Sequence, residues 1–202
     1  MTDVKVNLPF GPKFVEVEVP RRNLIAVIES NQVQAAVDGK AKVVQALRDP
    51  IGEERISNLV KKGSKVVILS EDNTRPTPVN EIPPSVLKEL NGRGVKDKDI
   101  TIIIALGTHR HMIEKEISKK LGEEIAERIE VVNHECEDRE SLEYLGETSK
   151  ATPIFVNRRA LKADFMIGMG MICPHRVAGY GGGAKIVQPG ISGKLPQGIL
   201  IG

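Results

Sequence analysis

Several residue types are scarce in this sequence, and each scarcity argues against a class of protein. Aromatic residues make up 3% of the 202 residues and tryptophan is absent, which argues against a single-strand nucleic-acid binder that stacks bases on its side chains. The 29 basic and 27 acidic residues leave a net charge of only +2. They are interspersed, so there is no basic stripe to follow a phosphate backbone. We therefore expect no nucleic-acid partner.

Cysteines and long apolar runs are equally scarce. The two cysteines, Cys136 and Cys173, form neither a CxxC pair nor a disulfide framework, which is typical of a protein in a reducing cytoplasm. No apolar run approaches the roughly 20 residues that a membrane helix needs. The first ten residues, MTDVKVNLPF, lack the basic start and apolar core of a signal peptide. The sequence therefore predicts a cytoplasmic protein with no membrane partner.

The residues that are present predict a globular α/β protein. The hydrophobic fraction is 40% and the charged fraction 28%, as in ordinary folded domains. Short apolar runs typical of buried strands alternate with amphipathic stretches typical of helices. The strand-like runs are 65–69, 100–106, 129–132 and 163–169, and the helical stretches are 32–47, 79–90 and 113–129. This alternation predicts a Rossmann-like, mainly parallel sheet flanked by helices.

The two ends of the chain add two expectations. Residues 3–8 and 13–19 have the pattern of strands and predict an N-terminal β-hairpin that turns between Pro9 and Pro12. The helix over 32–47 is expected to stop at Asp49, because a residue before proline disfavours the helical conformation. The chain ends on the apolar residues 198–202 with no polar tail, from which we expect a larger parent protein.

The first of three polar loops at predicted strand ends is EDNTRPTP, residues 71–78. Ligands of parallel sheets bind at the carboxyl ends of the strands, so Asp72, Thr74 and Arg75 become candidate site residues. The Arg75 guanidinium suits a carboxylate or phosphate, and Asp72 can accept hydrogen bonds from hydroxyl groups. Alternatively, Asp72 pairs with Arg75, and Asp-Asn-Thr forms only a turn and a helix cap. The sequence favours neither interpretation.

The second loop, GTHRH at residues 107–111, contains two of the four histidines of the chain. Histidine titrates near neutral pH and can therefore take up and return a proton during catalysis. The alternative is a hydrogen-bonded surface histidine, but the concentration of two histidines in one loop favours function. We prefer His109 to His111 as the catalytic candidate because His109 lies nearer the strand end.

The third loop, CPHRVAGYGGGAK at residues 173–185, contains four glycines within five positions. Gly179, Gly181, Gly182 and Gly183 allow successive backbone N–H groups to approach an anion, although no standard nucleotide motif is satisfied. Lys185 is a candidate phosphate contact or nucleophilic amine, with a solvated surface lysine as the alternative. Taken together, the three loops predict a site for an anionic substrate and a phosphorylated cofactor.

The three loops resemble those of the lactate racemase family, enzymes that use a nickel-pincer nucleotide. The family patterns Asp-x-Thr-Arg-Pro, Gly-Thr-His-Arg and Pro-His-x-x-Ala-Gly-Tyr-x-Gly-Gly-x-Lys occur in this order between about Ser70 and Gly190. The resemblance implies that residues 1–202 form the N-terminal catalytic and cofactor-binding domain. It also implies that a C-terminal domain, which completes the substrate pocket in the family, is missing from this chain.

The resemblance implies how the cofactor would be held. Lys185 would be linked covalently to the nickel-pincer nucleotide, with the loop from Gly179 to Gly183 near its phosphate. Asp72 and Thr74 would hold its nucleotide portion. In the family a further histidine completes the nickel coordination shortly after the Pro-Gly, but residues 186–202 contain no histidine. The metal ligands of this chain are therefore unknown at this point.

For the substrate, the resemblance implies a racemase or epimerase of a lactate-like 2-hydroxy acid. Arg75 would bind the carboxylate. His109 and His175 would be the paired acid/base groups on opposite faces of the substrate, while hydride moves to and from the cofactor. The alternative is a metal-free nucleotide- or phosphate-binding module that lacks catalysis, which the missing histidine favours. A purely structural role for the loops would leave their clustering unexplained.

Overall fold

The structure is a computed structural model that describes residues 3–28, 31 and 33–194, and it divides into two compact units between Val37 and Asp38. In the first unit, strands β1 (Val4–Phe10) and β2 (Lys13–Val19) pair in antiparallel register. Gly11, with φ of 58°, lies in the tight turn between them. The predicted hairpin is confirmed, and its first strand extends beyond residue 8 to Phe10.

The α-helices and the remaining strands of the described residues lie in the second unit. The helices are α1 (Gly39–Arg48), α2 (Ile56–Leu59), α3 (Pro83–Gly92), α4 (Glu114–Leu121), α5 (Glu123–Arg128) and α6 (Arg158–Leu161). The strands are β3 (Val66–Ser70), β4 (Ile100–Ile104), β5 (Glu130–Asn133), β6 (Leu142–Glu147), β7 (Pro153–Asn157), β8 (Phe165–Met169), β9 (Pro174–His175) and β10 (Gly179–Tyr180).

The four apolar runs form one parallel sheet in the order β5, β4, β3, β8. Every residue of β3 is buried, because the sheet is covered on both faces. Val66 and Ile68 point into a core shared with α3, α4 and α5. Val67 and Leu69 point into a second core that includes Val156 of β7 and Ala160 of α6. The predicted mixed α/β fold with a parallel sheet is confirmed.

The predicted helices differ from the structure at points set by local backbone chemistry. The stretch 79–90 is a 3₁₀ turn at Val79–Glu81 followed by α3. The helix predicted over 32–47 begins only at Gly39, because the Asp38 carboxylate accepts the N–H of Ala41 at 2.9 Å and caps the helix there. Residues 33–38 are not helical, and Gln32 lies outside the described residues. The stretch 113–129 is two helices, since Gly122 has φ of 92° and breaks the hydrogen-bond ladder between α4 and α5.

The sequence prediction missed the antiparallel pair β6 and β7, which with α6 covers the second face of the sheet. Buried His134 connects β7 with the segment at Ser192 through hydrogen bonds. Its Nε2 lies 3.0 Å from the Ser192 carbonyl, and its Nδ1 lies 3.2 Å from the Asn157 amide nitrogen. His134 is therefore a structural histidine. Residues 198–202, on which we based the expectation of a larger parent, lie outside the described residues, and no described helix is long and apolar enough to cross a membrane.

Candidate functional site

The three polar loops meet at the carboxyl edge of the parallel sheet. Ser70, Ile104 and Met169, the last residues of β3, β4 and β8, are partners in register, so the loops that follow them leave the sheet side by side. A cavity of about 550 Å³ lies there and is lined by residues of all three loops. Segments far apart in the sequence thereby share one cavity.

Most of the predicted site residues line this cavity. Those that do are Asp72, Thr74, Arg75, His109, His175, Gly181, Gly182 and Lys185. Gly183 lines a second cavity that shares Gly182 and Ile186 with the first, and Gly179 pairs with His175 between β9 and β10. His111 lies outside the cavity lining, with its Nε2 3.0 Å from a carboxylate oxygen of Glu135.

Asp72 organises the first two loops. It is only 4% exposed, and its Oδ1 accepts hydrogen bonds from the backbone N–H of Thr74 at 3.0 Å and from the Thr74 hydroxyl at 2.5 Å. Its Oδ2 lies 2.5 Å from Nδ1 of His109. Burial alone would raise the pKa of Asp72, but the hydrogen bonds from Thr74 and His109 outweigh it and leave the pKa below its usual value. The group is therefore a carboxylate that holds His109 in place.

Arg75 does not pair with Asp72, so the ion pair predicted as an alternative is wrong. The turn predicted with that pair, at Asp-Asn-Thr, is present. The guanidinium of Arg75 donates to the Thr74 hydroxyl at 3.1 Å. Among the described residues, no carboxylate lies within ion-pair distance of it. Arg75 also lines the cavity. A guanidinium in this setting is suited to an anionic ligand.

Two residues that the sequence analysis did not single out hold the Arg75 loop. The ammonium group of Lys120, on α4, donates to the carbonyl oxygens of Arg75 at 2.6 Å and Thr77 at 3.2 Å. The Glu71 carboxylate accepts from the Thr77 hydroxyl and, at 3.0 Å, from the N–H of Met171 in the third loop. Burial lowers the pKa of Lys120, although Glu71 and Asp72 oppose this effect. Hydrogen bonds of Lys120 on α4 and of Glu71 with the third loop therefore hold the Arg75 loop in place.

Replacing Lys120 by methionine is expected to destabilise the fold by about 1–3 kcal/mol, because the carbonyl groups of Arg75 and Thr77 lose a charged donor. Urea unfolding of the purified chain measures this. The matched control is Lys119→Met, at the exposed neighbouring position of the same helix, which should change stability by no more than about 0.5 kcal/mol. Equal effects at the two positions would contradict this assignment.

In the third loop, the turn between β9 and β10 holds the ring of His175. Its Nδ1 accepts the backbone N–H groups of Val177 at 3.2 Å and Ala178 at 3.1 Å. Burial lowers the pKa of His175, and the nearby positive charges of Lys185, Arg75 and Arg176 lower it further. The imidazole therefore resists becoming a cation.

The glycine loop has the properties of an anion cradle. Gly182 has φ of 76°, and a Cβ at this position would lie 2.8 Å from the carbonyl oxygen of Met171, so only glycine fits without a shift. The backbone N–H groups of Gly182, Gly183 and Ala184 have no acceptor among the described residues. Lys185 follows in a short 3₁₀ turn and lines the cavity. Free amides beside a lysine are suited to bind a phosphate.

Comparison with known protein families identifies the family of this chain. The sequence model of the family described as lactate racemase N-terminal domain matches residues 10–195. The chain belongs to this family. The resemblance inferred from the three loops is thereby confirmed.

Two curated relatives of this chain are named lactate racemase. The protein from Thermoanaerobacterium thermosaccharolyticum is 30% identical over 189 residues, covering 93% of this chain and 44% of the relative. The protein from Lactiplantibacillus plantarum is 31% identical over 194 residues, covering 94% and 45%. The chain thus spans less than half the length of these relatives.

Solved structures show the same fold. The lactate racemase apoprotein from T. thermosaccharolyticum superposes with a TM-score of 0.82 at 28% identity, covering 94% of this chain and 44% of that one. A protein from Thermotoga maritima superposes with a TM-score of 0.65 at 27% identity, covering 77% and 39%.

Proposed function

We propose that this chain forms the cofactor-holding part of a racemase for a lactate-like 2-hydroxy acid. The observation that carries the proposal is that Arg75, His109, His175 and Lys185 line one cavity, although they come from three separate loops. Such a set combines an anion anchor, two proton-transfer groups and an amine for cofactor attachment. The names of the curated relatives support the reaction class.

In this proposal Arg75 binds the substrate carboxylate through its guanidinium, which has no carboxylate partner among the described residues. His109 takes the hydroxyl proton on Nε2, because its Nδ1 is engaged by Asp72. The Asp72 carboxylate orients the ring and stabilises the imidazolium that forms. His175 faces the same cavity from the third loop. When bound, the nickel-pincer nucleotide supplies a hydride acceptor.

The described residues fit the nucleotide part of this cofactor. The free N–H groups of Gly182, Gly183 and Ala184 suit its phosphate, and Lys185 offers the amine for the covalent link. In this proposal Asp72 and Thr74 add a nucleotide contact to the hydrogen bonds that they already form with each other.

The described residues do not by themselves form a metal site. Among them there is no group of three or more His, Cys, Asp or Glu side chains that could hold a metal ion. We therefore assign Lys185 and the glycine loop to the nucleotide and assign no nickel ligand in this part of the chain. The absence of a histidine from residues 186–202 favours a second candidate function, a nucleotide- or phosphate-binding module without metal or catalysis.

Mass spectrometry of Lys185 tests the proposal. In full-length protein produced with nickel and the enzymes that build the cofactor, the peptide carrying Lys185 should gain a nucleotide-sized mass. Lys185→Arg should lose this gain, since a guanidinium is a poor nucleophile at neutral pH. Lys162→Arg, at an exposed position outside the cavity, is the control and should keep it. An unmodified Lys185, with nucleotide bound reversibly in the absence of nickel, would instead support the binding module.

A further inference from the structure

The two cavity histidines use Nδ1 in opposite ways. Nδ1 of His109 lies 2.5 Å from Oδ2 of Asp72, which is buried and ionised. A carboxylate has no proton to donate and can only accept. The proton of this hydrogen bond therefore belongs to His109, and His109 carries it on Nδ1.

The turn after β9 makes Nδ1 of His175 a hydrogen-bond acceptor, the opposite of Nδ1 in His109. Two backbone N–H groups, from Val177 and Ala178, point at its Nδ1 at 3.2 and 3.1 Å. A backbone N–H can only donate, so Nδ1 of His175 must carry a lone pair. The neutral ring then holds its proton on Nε2.

We infer that the cavity holds its two histidines in opposite tautomers: His109 presents a basic Nε2, and His175 presents an Nε2–H donor. The chain therefore contains one preformed base rather than two equivalent ones. Asp72 is the positioning residue for His109, and the backbone turn at Val177 and Ala178 has the same role for His175.

The charged groups that face the two rings also differ, as the hydrogen-bond partners of the two Nδ1 atoms do. His175 faces Lys185, Arg75 and its neighbour Arg176, and each of these cations disfavours a second proton on the ring. His109 faces the Asp72 carboxylate. A second proton is thus disfavoured at His175, whereas Asp72 gives the Nδ1–H of His109 a hydrogen-bond acceptor.

The consequence for turnover rests on the proposed racemase function. His175 can accept a proton on Nε2 only after its Nε2 proton has left and Nδ1 has taken one up. Protonating Nδ1 requires the N–H groups of Val177 and Ala178 to turn away from it. Use of His175 as a base therefore requires the turn between β9 and β10 to rearrange, whereas use of His109 requires no rearrangement.

Long-range ¹H–¹⁵N spectra of the imidazole rings test the tautomers directly in the ¹⁵N-labelled chain, without cofactor or substrate. His134 is an internal standard, because its Nε2 faces the Ser192 carbonyl and its Nδ1 faces the Asn157 amide. We expect His175 to give the His134 pattern, with Nε2 protonated and Nδ1 bare, and His109 to carry a proton on Nδ1. A protonated Nδ1 on His175, or a bare Nδ1 on His109, would overturn the inference.

Two variants test whether Asp72 sets the tautomer of His109. Asp72→Ala should change the ring nitrogen resonances of His109 and leave those of His175 unchanged. The matched control is Glu135→Ala, which removes a carboxylate beside His111 and His134 and should leave the resonances of His109 and His175 unchanged. If Asp72→Ala leaves His109 unchanged, Asp72 does not set its tautomer and that part of the inference is wrong. Because these measurements need no turnover, they can succeed even if Lys185 never acquires a cofactor.

Discussion

Substituting glutamine for His109 is expected to lower the rate of racemisation by the full-length, cofactor-loaded protein about 10²- to 10⁴-fold, the usual contribution of a positioned general base. Glutamine fills similar space but cannot take up a proton at neutral pH. Because the equilibrium constant between two enantiomers is one, kcat/KM should fall by the same factor for both. Initial rates from each pure enantiomer measure this.

The same loop supplies the control for this substitution. His111 is two residues away, outside the cavity lining and beside Glu135. His111→Gln should therefore leave the rate within about twofold, as expected for a surface change. Attachment of the nucleotide at Lys185 should survive in both variants, which separates lost proton transfer from lost cofactor. A His109→Gln protein that loses less than about tenfold would remove His109 from the role of general base.

Replacing Gly190 by alanine is expected to destabilise the chain by about 3 kcal/mol or more, since overpacking a buried site forces the backbone to move. A Cβ at Gly190 would lie 2.0 Å from the carbonyl oxygen of Ile186 and 3.1 Å from the side chain of Ala105. The Gly190 carbonyl also accepts the N–H of Gly107 at 2.8 Å. The required shift would thus disturb the second loop as well. Chemical denaturation monitored by circular dichroism measures the loss.

Gly92 provides a matched glycine-to-alanine control. It is the last residue of α3, and a Cβ there would meet nothing within 4 Å. Gly92→Ala should be neutral or stabilise the protein by up to about 1 kcal/mol, because alanine is the better helix former. If Gly190→Ala proves as mild as Gly92→Ala, the close approach of Gly190 to Ile186 does not constrain the fold.

The spacing of apolar residues predicted those strands and helices whose pattern lies within one stretch of sequence. The four strands of the parallel sheet were found because each is a short apolar run, and the first three of these runs lie between amphipathic stretches. The start of α1 was placed too early, because the apolar spacing of residues 33–37 continues into the helix while the Asp38 cap begins it at Gly39. Strands β6 and β7 were missed, since a partly exposed antiparallel pair depends on which segments meet across the fold and not on one run of residues.

The sequence by itself determined which residue types stand at the strand ends: a guanidinium, histidines, a glycine cradle and a lysine, in an order that identified the family. Only the tertiary structure decided what each side chain contacts. Asp72 meets His109 across 37 residues, and Lys120 meets Arg75 across 45. Such partners are chosen by how the strands align and the loops pack, so their hydrogen bonds, and with them the protonated nitrogen of each histidine, follow from the fold rather than from the local sequence.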